Sequence, residues 1–133
     1  MNFPHGALTH KIIGAAFEVY RVLGYGFLEK VYKMAMHVEL QQAGLLTELE
    51  APIDVMYKKV NVGHFYTDLL VEKKVVVEIK VTPDYNEKNE AQLLNELRAT
   101  TIEVGLLINF GIDRVSFKRM VFSEHRLFSE EQP

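Results

Sequence analysis

Asp68-Leu69-Leu70-Val71-Glu72-Lys73-Lys74-Val75-Val76-Val77-Glu78-Ile79-Lys80 holds two apolar runs on either side of a charged tripeptide. Read as a β-hairpin, its side chains alternate between two faces. Extended to its flanks, the pattern puts Thr67, Leu69, Val71, Val75, Val77, Ile79 and Val81 on odd, mostly apolar positions. His64, Tyr66, Asp68, Glu72, Glu78 and Lys80 take even, polar ones. This parity predicts that one face of the ribbon packs on helices and the other carries chemistry. The connection decides whether the two acids meet. A two-residue turn at Lys73-Lys74 would pair Asp68 with Ile79 and turn it to the wrong face. A three-residue loop, Glu72-Lys73-Lys74, pairs Val71 with Val75, and so sets Asp68 opposite Glu78 and Tyr66 opposite Lys80. Opposed residues lie about 4.5–5.5 Å apart. Two carboxylates that close repel each other unless a cation lies between them, so an odd loop or a bulge is expected here.

Oxygen ligands at this spacing suit Mg²⁺ or Mn²⁺. Such an ion polarises a phosphodiester, lowers the pKa of a bound water and stabilises transition-state charge. Lys80, two residues after Glu78, points the same way and is suited to orienting the water or neutralising developing charge. An exposed strand with ordinary surface charges accounts for the same pattern, because Glu-x-Lys is common on strands.

Working outward, residues 7–23 read as a helix, with Leu8, Ile12, Ala15, Ala16, Val19 and Leu23 at helical spacing. Gly24-Tyr25-Gly26 ends it and turns the chain. A second helix is expected from about Phe27 to Ala43, with Leu28, Val31, Met34, Ala35 and Val38 inward and Gly44 as its stop. From Leu49 the pattern becomes strand-like, with Ile53, Val55 and Tyr57 alternating with Asp54, Met56 and Lys58. A turn falls within Lys59–Gly63, and Lys58-Lys59 and Lys73-Lys74 read as turn residues. Phe65–Val71 and Val75–Val81 form the hairpin strands, and Pro83-Asp84 breaks the second. Asn86 or Asn89 caps a third helix reaching Thr100, with Leu93, Leu94 and Leu97 buried. Val104–Phe110 reads as a strand buried on both faces, and Val115–Val121 as a last strand. The tail from Ser129 is expected to fray. The order α-α-β-β-β-α-β-β predicts an α/β fold, a central mixed sheet flanked by helices with one crossover helix.

The 133 residues fit a single domain, 1–133, with apolar residues at 48% and charged residues at 25%. The absence of cysteine excludes disulfides, thiolate zinc sites and a cysteine nucleophile. No apolar run approaches the ~20 residues of a membrane span, and Met-Asn-Phe-Pro-His-Gly lacks a signal-peptide pattern; a cytoplasmic protein with no membrane partner is expected. A net charge of −3 argues against coating nucleic acid by charge alone. It is compatible with a metal-dependent nuclease, because a bound cation reverses the field of clustered acids. His5, His10, His37, His64 and His125 form no His-x-x-x-His pair. Ser116 and Ser123 lack a nucleophile-elbow context, and Gly24-Tyr-Gly26 lacks the phosphate-loop pattern. Arg114, Lys118, Arg119 and Arg126 give the C-terminal segment a basic bias. That bias suits a phosphate backbone or a strand edge guarded against aggregation.

Asp68 followed after nine residues by Glu78-Ile79-Lys80 resembles the PD-(D/E)XK nuclease signature. Gly26-Phe-Leu-Glu29-Lys-Val-Tyr32 is similar to the defining motif of the GxxExxY protein family, a branch of that superfamily. The resemblance continues at Ile12–Val19, Ala91-Gln92-Leu-Leu-Asn95 and Leu106–Gly111, and so covers nearly the whole chain. It implies a restriction-endonuclease-like core and an Mg²⁺- or Mn²⁺-dependent nuclease acting on DNA or, less readily, RNA. Asp68, Glu78 and Glu29 would hold the metal, Lys80 would be the catalytic lysine, and Gln92 would assist beside it. Tyr32 lies three residues from Glu29 on roughly the same helix face and is suited to holding Glu29 or touching a phosphate. Tyr66 and His64 share the parity of Asp68 and fall at the site's edge. Two departures stand out. Glu96 occupies a position that is often aromatic in the family, which is expected to alter substrate contacts without touching the core signature. Thr67 replaces the proline before the first aspartate. The alternative is a catalytically silent module of the same fold that binds nucleic acid or a protein partner. A homodimer is a further expectation, by analogy with compact nucleases that cut two strands.

Overall fold

The computed structural model describes residues 4–122. The elements run α1 (Gly6–Leu23), α2 (Glu29–Gln42), β1 (Thr47–Tyr57), β2 (Val60–Val71), β3 (Val75–Lys80), α3 (Lys88–Arg98), β4 (Val104–Phe110) and β5 (Val115–Val121). The five strands lie in one sheet in sequence order. β1, β2 and β3 pair antiparallel, β3 and β4 parallel, and β4 and β5 antiparallel. The one parallel pair is the one bridged by a helix, because parallel neighbours cannot be joined by a tight turn. This is the expected α-α-β-β-β-α-β-β order in a mixed sheet. The tail expected to fray, and His125, Arg126 and Ser123, lie outside the described residues.

The sheet is covered on both sides. On one side α1 and α2 lay Ile12, Ala16, Val19, Tyr32, Met36 and Leu40 against Leu69, Val71, Val77, Ile79, Ile108 and Phe110. On the other, α3 sets Leu93 and Leu97 on Ala51, Leu70, Val76 and Leu107. β4 is buried along its whole length because it lies under both layers. Gly105 makes room there: a Cβ on it would meet the Leu93 side chain at 3.0 Å. The even face of the hairpin is therefore not an open polar surface as parity alone suggested. Leu70 and Val76 bury it, and only its outer end carries polar groups.

Three local expectations need correction. First, α2 buries Tyr32, Met36 and Leu40, whereas Leu28, Met34 and Val38 are exposed. This helix carries two apolar stripes at helical spacing, and the bulkier one faces the core. Leu28 precedes the helix in extended conformation. Second, the β1–β2 turn is Lys58-Lys59, as those lysines suggested, with φ of 49° and 70°, but it does not run on to Gly63, because β2 already begins at Val60. The register slips between Val55 and Met56, so that Gly63 and Asn61 are their partners and Val62 is extra. That bulge breaks the period-two pattern, which made a strand read as a turn. Third, the β3 strand ends at Lys80 rather than Val81.

Gly44 does stop α2. It sits at φ 83°, its N–H bonds to Gln41 O at 2.9 Å, and the Leu45 N–H bonds to Leu40 O at 3.0 Å, which together form a Schellman cap. Asn86 caps α3 through its side-chain oxygen, which accepts from the Lys88 N–H at 2.9 Å.

Candidate metal centre

Val71 pairs with Val75, Leu70 with Val76 and Leu69 with Val77, so the connection is the three-residue loop Glu72-Lys73-Lys74. Glu72 and Lys73 take left-handed φ of 54° and 55° to close it. Continued outward, this register puts Asp68 opposite Glu78, but the ladder stops at Leu69 and Val77. The next pair, Asp68 with Glu78, is not made, nor is Thr67 with Ile79 beyond it. Instead the Ile79 N–H donates to Asp68 Oδ2 at 2.7 Å. The carboxylate stands in for a backbone carbonyl at the point where the two strands part. The β1 side is also irregular there. The β1–β2 pairing skips Glu50, which is held at φ 49°. A non-glycine residue in this region is strained, and such strain gathers at functional sites.

Charged groups from five elements meet at this fork. From α2, Lys33 reaches Asp68 Oδ1 at 3.8 Å with both side chains largely buried, and Glu50 at 3.3 Å. Glu29, the first residue of α2, is held above the ordinary carboxylate range. Partial burial is the main cause and Asp68 adds to it, while Lys80 and Lys33 oppose. From β3, Glu78 is only 8% exposed and accepts a hydrogen bond from Thr67 Oγ1 at 3.0 Å. Burial pushes its proton affinity far up, and Glu96 and Asp68 push it further. From α3, Glu96 packs against Glu78 and is likewise raised by burial. Lys80, half-buried at the end of β3, lies close enough to favour the ionised forms of Glu29 and Glu96. Asn109, its partner in β4, fixes the chain just beyond. The Asn109 side chain accepts from the Thr82 N–H at 3.1 Å and donates to Thr82 O at 3.1 Å.

The expected site residues fare differently. Asp68 and Lys80 both act electrostatically on Glu29, and Asp68 acts on Glu78. Gln92 reaches the group indirectly, donating to Glu96 Oε2 at 3.4 Å. Tyr32 is fully buried. Its hydroxyl donates to Gly24 O and its ring stacks on Phe110 at 4.6 Å. It ties the α1–α2 turn to the core and has no surface left for a phosphate. Tyr66 is 62% exposed and meets His64 edge-on at 5.3 Å; the ladder ends before it can pair with Lys80. Lys33 and Glu96 were missed as members of the site. Lys33 was findable as the residue one helical turn after Glu29. Glu96 corrects the expectation that this departure leaves the core signature untouched, because it contacts Glu78 directly.

The donor set fits a hard divalent cation. All the acids offer oxygen, two of them are buried, and Oε1 of Glu96 is buried with no hydrogen-bond donor among the described residues. Among these residues no three acids or histidines stand together as a ready-made metal site.

A split antiparallel hairpin bearing Asp68 and Glu78-x-Lys80, flanked by helices, defines a nuclease-fold α/β domain. The sequence profile of the PD-(D/E)XK nuclease superfamily matches residues 6–120. The chain belongs to that superfamily. The crystal structure of SSO0001 superposes with a TM-score of 0.56 at 16% identity, covering 97% of this chain and 70% of that one. At this identity the likeness speaks for the fold alone. No curated protein matches the chain. Among the described residues no helix is long and apolar enough to cross a membrane.

Proposed function

We propose that this protein is a divalent-metal-dependent nuclease that hydrolyses phosphodiester bonds of DNA. The observation that carries the reading is the fork itself. Asp68, placed by register opposite Glu78, leaves the ladder and joins the acids and lysines of α2, β3 and α3. A domain that needed only stability would not gather carboxylates in a partly dry site, where unpaired charge is costly. Asp68 and Glu78 would hold Mg²⁺ or Mn²⁺, with Glu29 completing the shell from the first turn of α2. When bound, the cation supplies Lewis acidity to the scissile phosphate and to the attacking water. The chain's own residues do the rest. Lys80 presents its ammonium where charge grows on the phosphate oxygens, and the Asn109–Thr82 clamp fixes the strand end that carries it. Lys33 holds Asp68 in place from α2, and Gln92 steadies Glu96 from the preceding helical turn. The exposed Tyr66 and His64 stand on the same strand as Asp68 and suit contact with a base or sugar. Arg114 and Lys118 offer exposed cations for the phosphate backbone.

The test is cleavage of single- and double-stranded DNA with added Mn²⁺ or Mg²⁺, with chelated and Asp68→Asn controls. Metal-dependent cleavage that disappears in Asp68→Asn supports the reading. Absence of cleavage on every substrate, with DNA still bound by the parent chain, would instead favour a silent binding module.

A further inference from the structure

We propose that Glu96 of α3 is itself a ligand of the divalent cation, sharing it with Glu78. This rests on the metal centre proposed above and assigns it a residue outside the Asp68, Glu78 and Glu29 set.

Glu96 is placed by packing. Leu93 and Leu97 seat α3 on Leu70, Val76 and Leu107. Glu96 lies three residues after Leu93 and one before Leu97, which turns its side chain toward the sheet beside Glu78. It is 9% exposed, as deeply buried as Glu78 at 8%. Its hydrogen bonding is incomplete. Oε2 receives one long bond, from Gln92 Nε2 at 3.4 Å. Oε1 is buried with no donor among the described residues. Buried carboxylates ordinarily collect donors. This one faces another carboxylate, Glu78, with which it shares a hydrogen bond, and Asp68 and Lys80 are the other charges it feels. A cation between Glu78 and Glu96 would replace that shared proton and fill the donorless Oε1 of Glu96. Hard oxygen donors of this kind select Mg²⁺ or Mn²⁺.

A purely structural pair sharing one proton is the competing account, and metal binding separates the two. An amide at position 96 can donate to Glu78, so both accounts expect metal-free Glu96→Gln to melt no lower than the parent. Only a ligand role also weakens metal binding. The experiment is calorimetric titration of the full chain with MnCl₂, for the parent, Asp68→Asn, Glu96→Gln and Glu96→Asp, with metal-free melting curves for each. We expect the parent to bind and Asp68→Asn to lose binding. Glu96→Gln should fold normally and bind about 10- to 100-fold more weakly. Glu96→Asp, which keeps the charge but withdraws it by one methylene, should also bind more weakly. Parent-like affinity in both Glu96 variants overturns the ligand role and leaves the metal centre standing. Failure of the parent itself to bind Mn²⁺ overturns the centre and the inference together.

Discussion

Lys80 and Tyr32, singled out by two different motifs, are placed very differently. Lys80 ends β3 with its ammonium among the acids, whereas Tyr32 is sealed in the core. Lys80→Ala should therefore keep Mn²⁺ binding and lose cleavage by about 10²-fold or more; equal cleavage rates in a single-turnover assay would remove the lysine from the chemistry. Tyr32→Phe should do the reverse. Removing the hydroxyl leaves the Gly24 carbonyl short of a partner and costs about 1 kcal/mol of stability, seen as a lower urea midpoint with cleavage unchanged at low temperature. The acids make a further prediction about pH. Glu78 and Glu96 both have raised proton affinities in the folded state, chiefly through burial. Well below the ordinary value of 4.5 both are protonated, folded or not, and neither penalises folding. As pH rises above it the unfolded chain gives up these protons first, so the folded state is progressively disfavoured. The stability gained by Glu96→Gln over the parent, without metal, should accordingly grow as pH rises above the ordinary carboxylate value of 4.5. Thermal melts through that rise in pH check it, and a constant difference would mean that Glu96 is not penalised by burial.

At the scale of the element, the hairpin was legible in sequence because of one counting argument. Residues 68–80 place both acids on even positions, and only an odd loop lets them face each other. Glu72-Lys73-Lys74 is that loop. Deleting Lys74 should force either a slipped register or a rebuilt turn. We expect lost Mn²⁺ binding together with reduced solubility, because a one-residue slip also turns apolar residues out of the core. A deletion variant that binds metal like the parent would show that the loop does not set the site. The β1–β2 hairpin was harder to read. The Lys58-Lys59 turn itself was legible, but the Val62 bulge hides the alternation and made the start of β2 read as part of the turn. The buried face of α2 was misread for another reason: two apolar stripes compete on it, and only the packed structure shows that Tyr32, Met36 and Leu40 win.

The whole molecule explains why part of the site could not be read locally. Asp68, Glu78 and Lys80 lie within one hairpin, so strand parity alone brings them near one another. Lys33 joins them only because α2 packs on one face of the sheet over β2, and Glu96 only because the crossover helix returns over its other face. Neither contact has a signature in spacing; both follow from the right-handed β3–α3–β4 connection expected of parallel strands and from which helix covers which side. The two-layer cover also explains why the even face became part core and part site. The central claim is that Asp68 and Glu78 hold one divalent cation at the fork of β2 and β3. Anomalous diffraction from crystals grown with Mn²⁺ tests it most directly. The account predicts a strong peak within ligating distance of both carboxylates; crystals saturated with Mn²⁺ that show no peak there, or a peak only at surface acids, would contradict it.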